Sequence, residues 1–432
     1  MGDAEPCFLK SGSRVYDPCR RLNNLLTLES TGFYYWFFEL EFWFEIGRSE
    51  MKFAVKSLKF FYGFSFFMNL FVGMLFLGMP LFAIKLGADN LDLGILGTAG
   101  SLVYILFVPV SGWLSDRTRK NLQAGLSAIM FGVMVCLIPF MPRLFLLYPV
   151  MLGYFIALAL VWPALESAMS HYASGKTLSR IAGWYNVSWC SGAMLGIYVA
   201  GYIYSRNSGL VFWLAGGLAI LLGISFAGWF QVPERANNQG DALESGSVYF
   251  LYLSWLANGM SYFSLNLIRM IFPKLAVDLS ISSSNLGLLL MLLNFSQALM
   301  FIVLNLTVRW HFKFWVLALA MVLNATGQFL VFFSEDMAGF GLGFFLIGAG
   351  AGISYSTSLY YAISLSASLA GSRSGWHEFY LGLGALLGPL LGGVSAQYLG
   401  ARSPYALSAI LAILLMMVQI FYFSRKAGSV RA

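Results

Sequence analysis

Long apolar runs recur along this chain, and each is closed by a short polar or basic break. A bilayer core is about 30 Å thick, so a spanning helix needs about 20 mostly apolar residues. Twelve such windows follow residue 56, at roughly 58–84, 92–114, 121–140, 145–168, 180–204, 209–231, 248–273, 285–306, 313–333, 338–363, 375–399 and 404–424. Backbone groups in lipid must pair internally, which leaves helices or closed barrels. A barrel would show alternating segments of about ten residues, and these runs are too long and continuous. The pattern therefore predicts an all-α polytopic membrane protein. The widest break, "QVPERANNQGDALESGS" at Gln231–Ser247, is rich in Pro, Gly, Asn and acids. It reads as a flexible central loop between a bundle at 51–230 and a second at 248–432.

Composition agrees. The 432 residues are 59% hydrophobic and 10% charged, where a soluble domain carries about a quarter charged residues. A net charge of +7 raises the question of nucleic acid, but the basic residues sit in short loops. From Lys52 onward, fifteen Lys and Arg fall on one side of the predicted spans. The other side holds five: Lys85, Arg143, Arg206, Lys274 and Arg402. That bias is the positive-inside signal. It predicts a multi-pass protein of the plasma membrane with both termini and the central loop in the cytoplasm, and no nucleic-acid partner. Cys7, Cys19, Cys136 and Cys190 show no metal or redox spacing. Three histidines are too few for a His-rich site. We expect no metal and no cofactor.

Residues 1–50 fit this scheme poorly. "FYYWFFELEFWFEIG" is aromatic, interrupted by Glu39, Glu41 and Glu45, and too short to span. Either it lies at the membrane interface, or translation starts at Met51, where "MKFAVKSLKFF" leads into the first span.

The two halves repeat. "PLFAIKLGADNLDLGILG" (Pro80–Gly97) aligns with "PKLAVDLSISSSNLGLLL" (Pro273–Leu290) at an offset of 193. "GWYNVSWCSGAMLG" (Gly183–Gly196) aligns with "GWHEFYLGLGALLG" (Gly375–Gly388) at an offset of 192. Six spans are an even number, so both halves share one orientation, as in transporters built from parallel six-helix repeats.

Between spans two and three lies "SGWLSDRTRK", Ser111–Lys120. Twelve spans, the 6+6 repeat, the central loop and this decapeptide resemble the major facilitator superfamily over about residues 55–425. The family's loop motif is approximately G-x-x-x-D-R-x-G-R-K. Here Gly112, Asp116, Arg117, Arg119 and Lys120 match, and Thr118 replaces a glycine. The second copy, "NLTVRWHFK", has Arg309 where Asp116 aligns and keeps Lys313. The residues alone read as a basic topology anchor, with Gly112 permitting close helix approach and Asp116 able to face a helix N-terminus. The resemblance implies two pseudo-symmetric six-helix bundles and a cytoplasmic gate at this loop. It also implies that Asp116 contacts the start of span eleven near Arg373 and Ser374.

Inside the spans, polar residues are sparse enough to count as candidates. In span seven Ser254, Asn258, Tyr262, Asn266 and Arg269 fall on one helix face. A charge at a helix centre costs about 2.5–3.5 kcal/mol on insertion scales, so Arg269 should face a cavity or partner, unless it snorkels to the outer end. Its guanidinium would suit a carboxylate or phosphate. Span eight offers Asn294, Gln297 and Asn305. Span one offers Ser65 and Asn69, aligned with Asn258 and Tyr262. These line a transport cavity or hydrogen-bond between helices. Glu166 ends span four, and His377 and Glu378 begin span eleven, near the predicted inner boundary. The two acids are either hydrated there, carry protons, or pair with Arg180 or Arg373. No acid lies deep in the first span.

The chain has no P-loop and none of the intramembrane catalytic constellations, such as His-Glu-x-x-His. We therefore expect no enzyme. The favoured reading is a secondary transporter that moves a small solute by alternating access through a midplane cavity, with the bilayer and coupled protons as partners and a single chain as the unit. The alternatives are a receptor or sensor on this scaffold and a uniporter without ion coupling.

Overall fold

A computed structural model describes residues 49–169, 175–230, 248–307, 309–364 and 370–429. The aromatic segment before Ser49 and the central loop 231–247 lie outside the described residues, and so does the side chain of Asp116. The chain divides into Met1–Lys52 and the unit Phe53–Ala432; both bundles and the cavity between them belong to the latter.

Twelve long helices make up the described residues, with no strands among them. They are α1 (Ser49–Lys85), α2 (Asn90–Arg117), α3 (Lys120–Leu137), α4 (Leu144–Met169), α5 (Gly175–Tyr204) and α6 (Ser208–Trp229). The second half supplies α7 (Val248–Asp278), α8 (Ser283–Asn305), α9 (Phe314–Phe333), α10 (Met337–Ser364), α11 (Ala370–Leu399) and α12 (Ser403–Ser429). Eleven are long and apolar enough to cross a membrane. The exception, α7, is the helix with the polar stripe. Most of its residues from Phe250 to Ala276 are buried, including Ser254, Asn258, Ser261, Ser264 and Arg269. Protein therefore covers most of this helix, so the polar residues of its sequence face neighbours other than lipid. Burial separates central from peripheral helices elsewhere too: 78% of the apolar window of α1 is buried, against 22% for α12.

We call the end carrying Lys85–Asn90 the outer end, following the charge bias. Turns there are tightly capped. The carboxylates of Asp89 and Asp92 each accept from the other's backbone amide at the start of α2, and Ser282 Oγ accepts from the Asn285 amide at the start of α8. Such caps satisfy amides that a helix start leaves without partners.

The sequence repeat is a repeat of contacts. A methyl group added at Gly192 or Gly196 of α5 would strike the carbonyl oxygens of Phe66 and Leu70 in α1. One at Gly384 or Gly388 of α11 would strike those of Gly259 and Phe263 in α7. Each position matches its counterpart at an offset of 192 or 193. Glycine lets the backbones approach this closely, so the recurring glycines in the sequence mark where each bundle fastens its first helix to its fifth.

Candidate functional site

The bundles meet around a cavity of about 220 Å³ whose wall draws on α1–α5 of the first and α7, α10 and α11 of the second. Four expected polar residues line it: Asn69, Tyr262, Asn266 and Arg269. Glu166 and Glu378 line it as well, one from each bundle. Both acids were expected near the inner boundary. They reach the cavity because α4 continues to Met169 past Glu166, and α11 begins at Ala370, two turns before Glu378.

Arg269 is 6% exposed. Its Nη2 donates to Asn294 Oδ1 at 2.9 Å, and its guanidinium carbon sits 4.2 Å from the centre of the Phe76 ring. Its Nε has no hydrogen-bond partner. Phe76 is the repeat equivalent of Arg269 at the offset of 193. Asn69 and Asn266 each donate to a carbonyl one turn back, of Ser65 at 3.1 Å and Tyr262 at 2.9 Å, which orients their side chains along the wall.

The remaining expected cavity residues are placed elsewhere. Ser65, Asn258, Asn294 and Gln297 are fully buried but absent from the wall. Asn294 reaches the site through Arg269 and donates to Leu290 O at 3.1 Å. The reason is geometric: a polar stripe about 120° wide covers both the cavity and the seams between helices of one bundle. Interhelical hydrogen bonds occupy those seams, as in Asn324 to Ser261 at 3.0 Å and Ser354 to Ser261 at 2.8 Å.

What the residue pattern missed is the aromatic wall. Tyr104, Tyr154, Trp162, Tyr185, Trp189 and Tyr355 line the cavity beside Phe76. Trp189 packs edge-on against Tyr355 at 5.9 Å, with its Nε1 donating to Asn186 Oδ1 at 3.1 Å. A usable signal was present. Trp and Tyr favour the membrane interfaces, so Trp189 and Tyr262 in mid-span ask for another reason to be there.

Two seams close the outer end. Across α2 and α11, a methyl at Gly94 would lie 2.7 Å from Pro389 O and 3.0 Å from Gly393 Cα. Thr98 and Ser101 donate to Leu386 O at 3.2 Å and Ala385 O at 3.0 Å. Across α5 and α8, a methyl at Gly201 would lie 2.6 Å from Ser283 O and 3.0 Å from Gly287 Cα. Gly94 pairs with Gly393 as Gly287 pairs with Gly201, another repeat at offsets of 193 and 192.

At the inner end the decapeptide is tied to its own bundle. Gln123 Nε2 donates to Ser111 Oγ at 2.9 Å and to Leu160 O at 3.1 Å, and Lys120 Nζ reaches Ser115 O at 3.4 Å. Arg117 stacks on Trp113 at 4.0 Å, and Arg117 and Arg119 are exposed. Gly112 was expected to admit a neighbouring helix. Instead, among the described residues, nothing lies within 4 Å of a methyl added there. Arg373 is half-buried, with its Nη1 unpartnered.

Comparison with known proteins agrees with this architecture. The model of the Major Facilitator Superfamily matches residues 60–250 and 254–431. A lactose permease of Klebsiella oxytoca is 28% identical over 176 residues, a match spanning 37% of this chain and 40% of the permease. Among solved structures, the nucleoside transporter NupG superposes with a TM-score of 0.67 at 13% identity, covering 85% of this chain and 99% of NupG. An inward-facing, unoccupied bacterial homologue of the human lysosomal transporter Spinster gives 0.64 at 15% identity, covering 86% and 96%. The family match covers nearly all of both bundles, and the chain belongs to the major facilitator superfamily.

Proposed function

We propose that this chain is a secondary transporter that moves a small solute through the cavity between its bundles by alternating access. The observation that carries the reading is the cavity itself. It is walled by both bundles, closed at the outer end by paired glycine crossings, and holds a buried Arg269. A rocking motion that parts Gly94 from Gly393 and Gly201 from Gly287 would expose Arg269 to the other side. In that cycle the unpartnered Arg373 is available to Asp116 when the inner ends of α2 and α11 meet. Glu166 and Glu378, one on each moving body, would carry the coupled proton. We place the protein in the plasma membrane with both termini cytoplasmic, working as a monomer. Lactose, the solute in the name of the partly matching permease, enters the assay as a comparison solute.

The test is uptake into proteoliposomes with and without an imposed pH gradient. The proposal expects saturable uptake, stimulated by a gradient that is acidic on the side of entry. Glu378→Gln should keep solute exchange and lose that stimulation. Binding of a solute without any flux would make the protein a receptor on this scaffold.

A further inference from the structure

Arg269 lacks a counter-charge. Among the described residues no carboxylate lies within ion-pair distance of its guanidinium, and its contacts are an amide oxygen, a ring face and an unpartnered Nε. A ring face attracts a cation but does not neutralise it. A buried ion without a partner is costly, and this one lies on the wall of a cavity.

The two carboxyls of the cavity stand far from it. Helices α7 and α11 run parallel in register, with Gly384 against Gly259, Gly388 against Phe263 and Gly392 against Leu267 and Ile271. Arg269 is therefore level with the α11 turn at Gly392. At 1.5 Å per residue that is roughly 21 Å along the axis from Glu378. Between the two ends lie Tyr262, Trp189, Tyr355, Tyr185 and Tyr104. Among the described residues Arg269 is the single Arg or Lys on the wall, so a second anionic group at the Glu166 and Glu378 end would meet carboxyls and no cation.

We propose that the site binds an elongated organic monoanion, with its carboxylate on Arg269, a flat aromatic body among the tyrosines and tryptophans, and a neutral or hydrogen-bonding far end at Glu166 and Glu378. This rests on the transport reading above and names its substrate class. The carboxylate fits the planar guanidinium, which offers a fork of donors that lysine does not. The aromatic body stacks or packs edge-on against the rings. A neutral disaccharide would leave the buried charge uncompensated.

The test is calorimetric binding to the purified full chain in lipid nanodiscs, using three probes on one skeleton: phenylbutyrate, phenylbutylamine and phenylbutanol. Lactose is the sugar control. Phenylbutyrate should bind at least about tenfold more tightly than the amine, the alcohol and lactose, since one charge-assisted pair discriminates by that much or more. Arg269→Gln should remove the preference for the acid while leaving phenylbutanol binding intact, which also reports that the variant is folded. Equal binding of acid and alcohol, tighter binding of the amine or lactose, or no response to phenylbutyrate overturns the proposal on the natural protein alone. Should the acid lose its advantage while the cavity still opens alternately to the two sides, only the substrate class is wrong. Should the acid bind to a cavity open to one side only, the transport reading fails and the site stands.

Discussion

The two seams between the bundles are related by the repeat, yet they differ. The seam of α5 with α8 holds along its length. Gly201 meets Ser283 and Gly287 at the outer end, Cys190 Sγ contacts Asn294 O at 3.3 Å midway, and Gly183 meets Asn305 at the inner end. The seam of α2 with α11 holds from Gly94 and Gly393 down to Ile105 and Gly382, and then parts. Below that contact a hollow of about 300 Å³ is lined by Val108, Pro109, Trp376 and Phe379. It shares Tyr104 and Glu378 with the central cavity. Pro109 lies inside α2, and a proline lacks the amide that would bond Ile105 O and tends to bend a helix there. The difference teaches that the outer end is closed by two like contacts, whereas at the inner end, among the described residues, α5 and α8 touch and a hollow separates α2 from α11. That hollow is the candidate route from the cavity to the inner side.

The largest effect should come from locking one seam and not the other. A reducible bifunctional crosslink between Thr98→Cys and Leu386→Cys, on helices that touch there, should stop uptake of the best-binding probe, since outward opening requires those helices to separate. A disulfide between Gly183→Cys and Asn305→Cys should leave uptake within about threefold of the reduced protein, because that inner contact need not break in either state. Equal inhibition by the two bridges would erase the distinction between the seams.

Wedging is the next step down. Gly94→Leu forces a side chain against Pro389 O, and overpacking costs about 1–3 kcal/mol, a population shift on the order of five- to 150-fold toward the outward-open form. Reaction of an outer-cavity cysteine with an impermeant reagent measures it. Filling the hollow with Val108→Trp should slow uptake about severalfold by narrowing one exit. An equal change at an exposed position of α8, such as Phe295→Trp, should have no effect.

The loop predictions are smaller. Asp116→Asn should leave membrane levels normal and slow the cycle about five- to thirtyfold, as expected when a latch of about 1–2 kcal/mol is lost. Lys120→Gln should change uptake by less than about twofold, because an exposed cation is screened. Unchanged uptake in Asp116→Asn would make the decapeptide a topology anchor alone.

The pattern of apolar windows revealed all twelve helices, including α7 despite its polar stripe, whereas the contacts made at the repeated glycines came from the structure. The site was legible where a residue is both polar and deep, as Arg269 and Asn266 are. It was illegible where the wall is aromatic, because 17% of the chain is Phe, Trp or Tyr and a cavity ring looks like a lipid-facing one. Phe76 could have been found by asking what stands at the repeat position of Arg269. Helix periodicity tells which face a residue shares, but two kinds of neighbour adjoin that face. That is why Asn258 and Gln297 were drawn toward the cavity and lie in the seams.

The central claim is that one cavity is exposed in turn to the two sides. It is tested most directly by placing a cysteine at Leu158 on the cavity wall, in a protein otherwise free of cysteine and carrying the crosslinked Thr98→Cys and Leu386→Cys pair. With the outer bridge formed, the Leu158→Cys thiol should react with an impermeant reagent from the inner side only, and with the pair reduced and substrate present it should react from both. A thiol that reacts from one and the same side in both conditions, or from neither, would contradict the account.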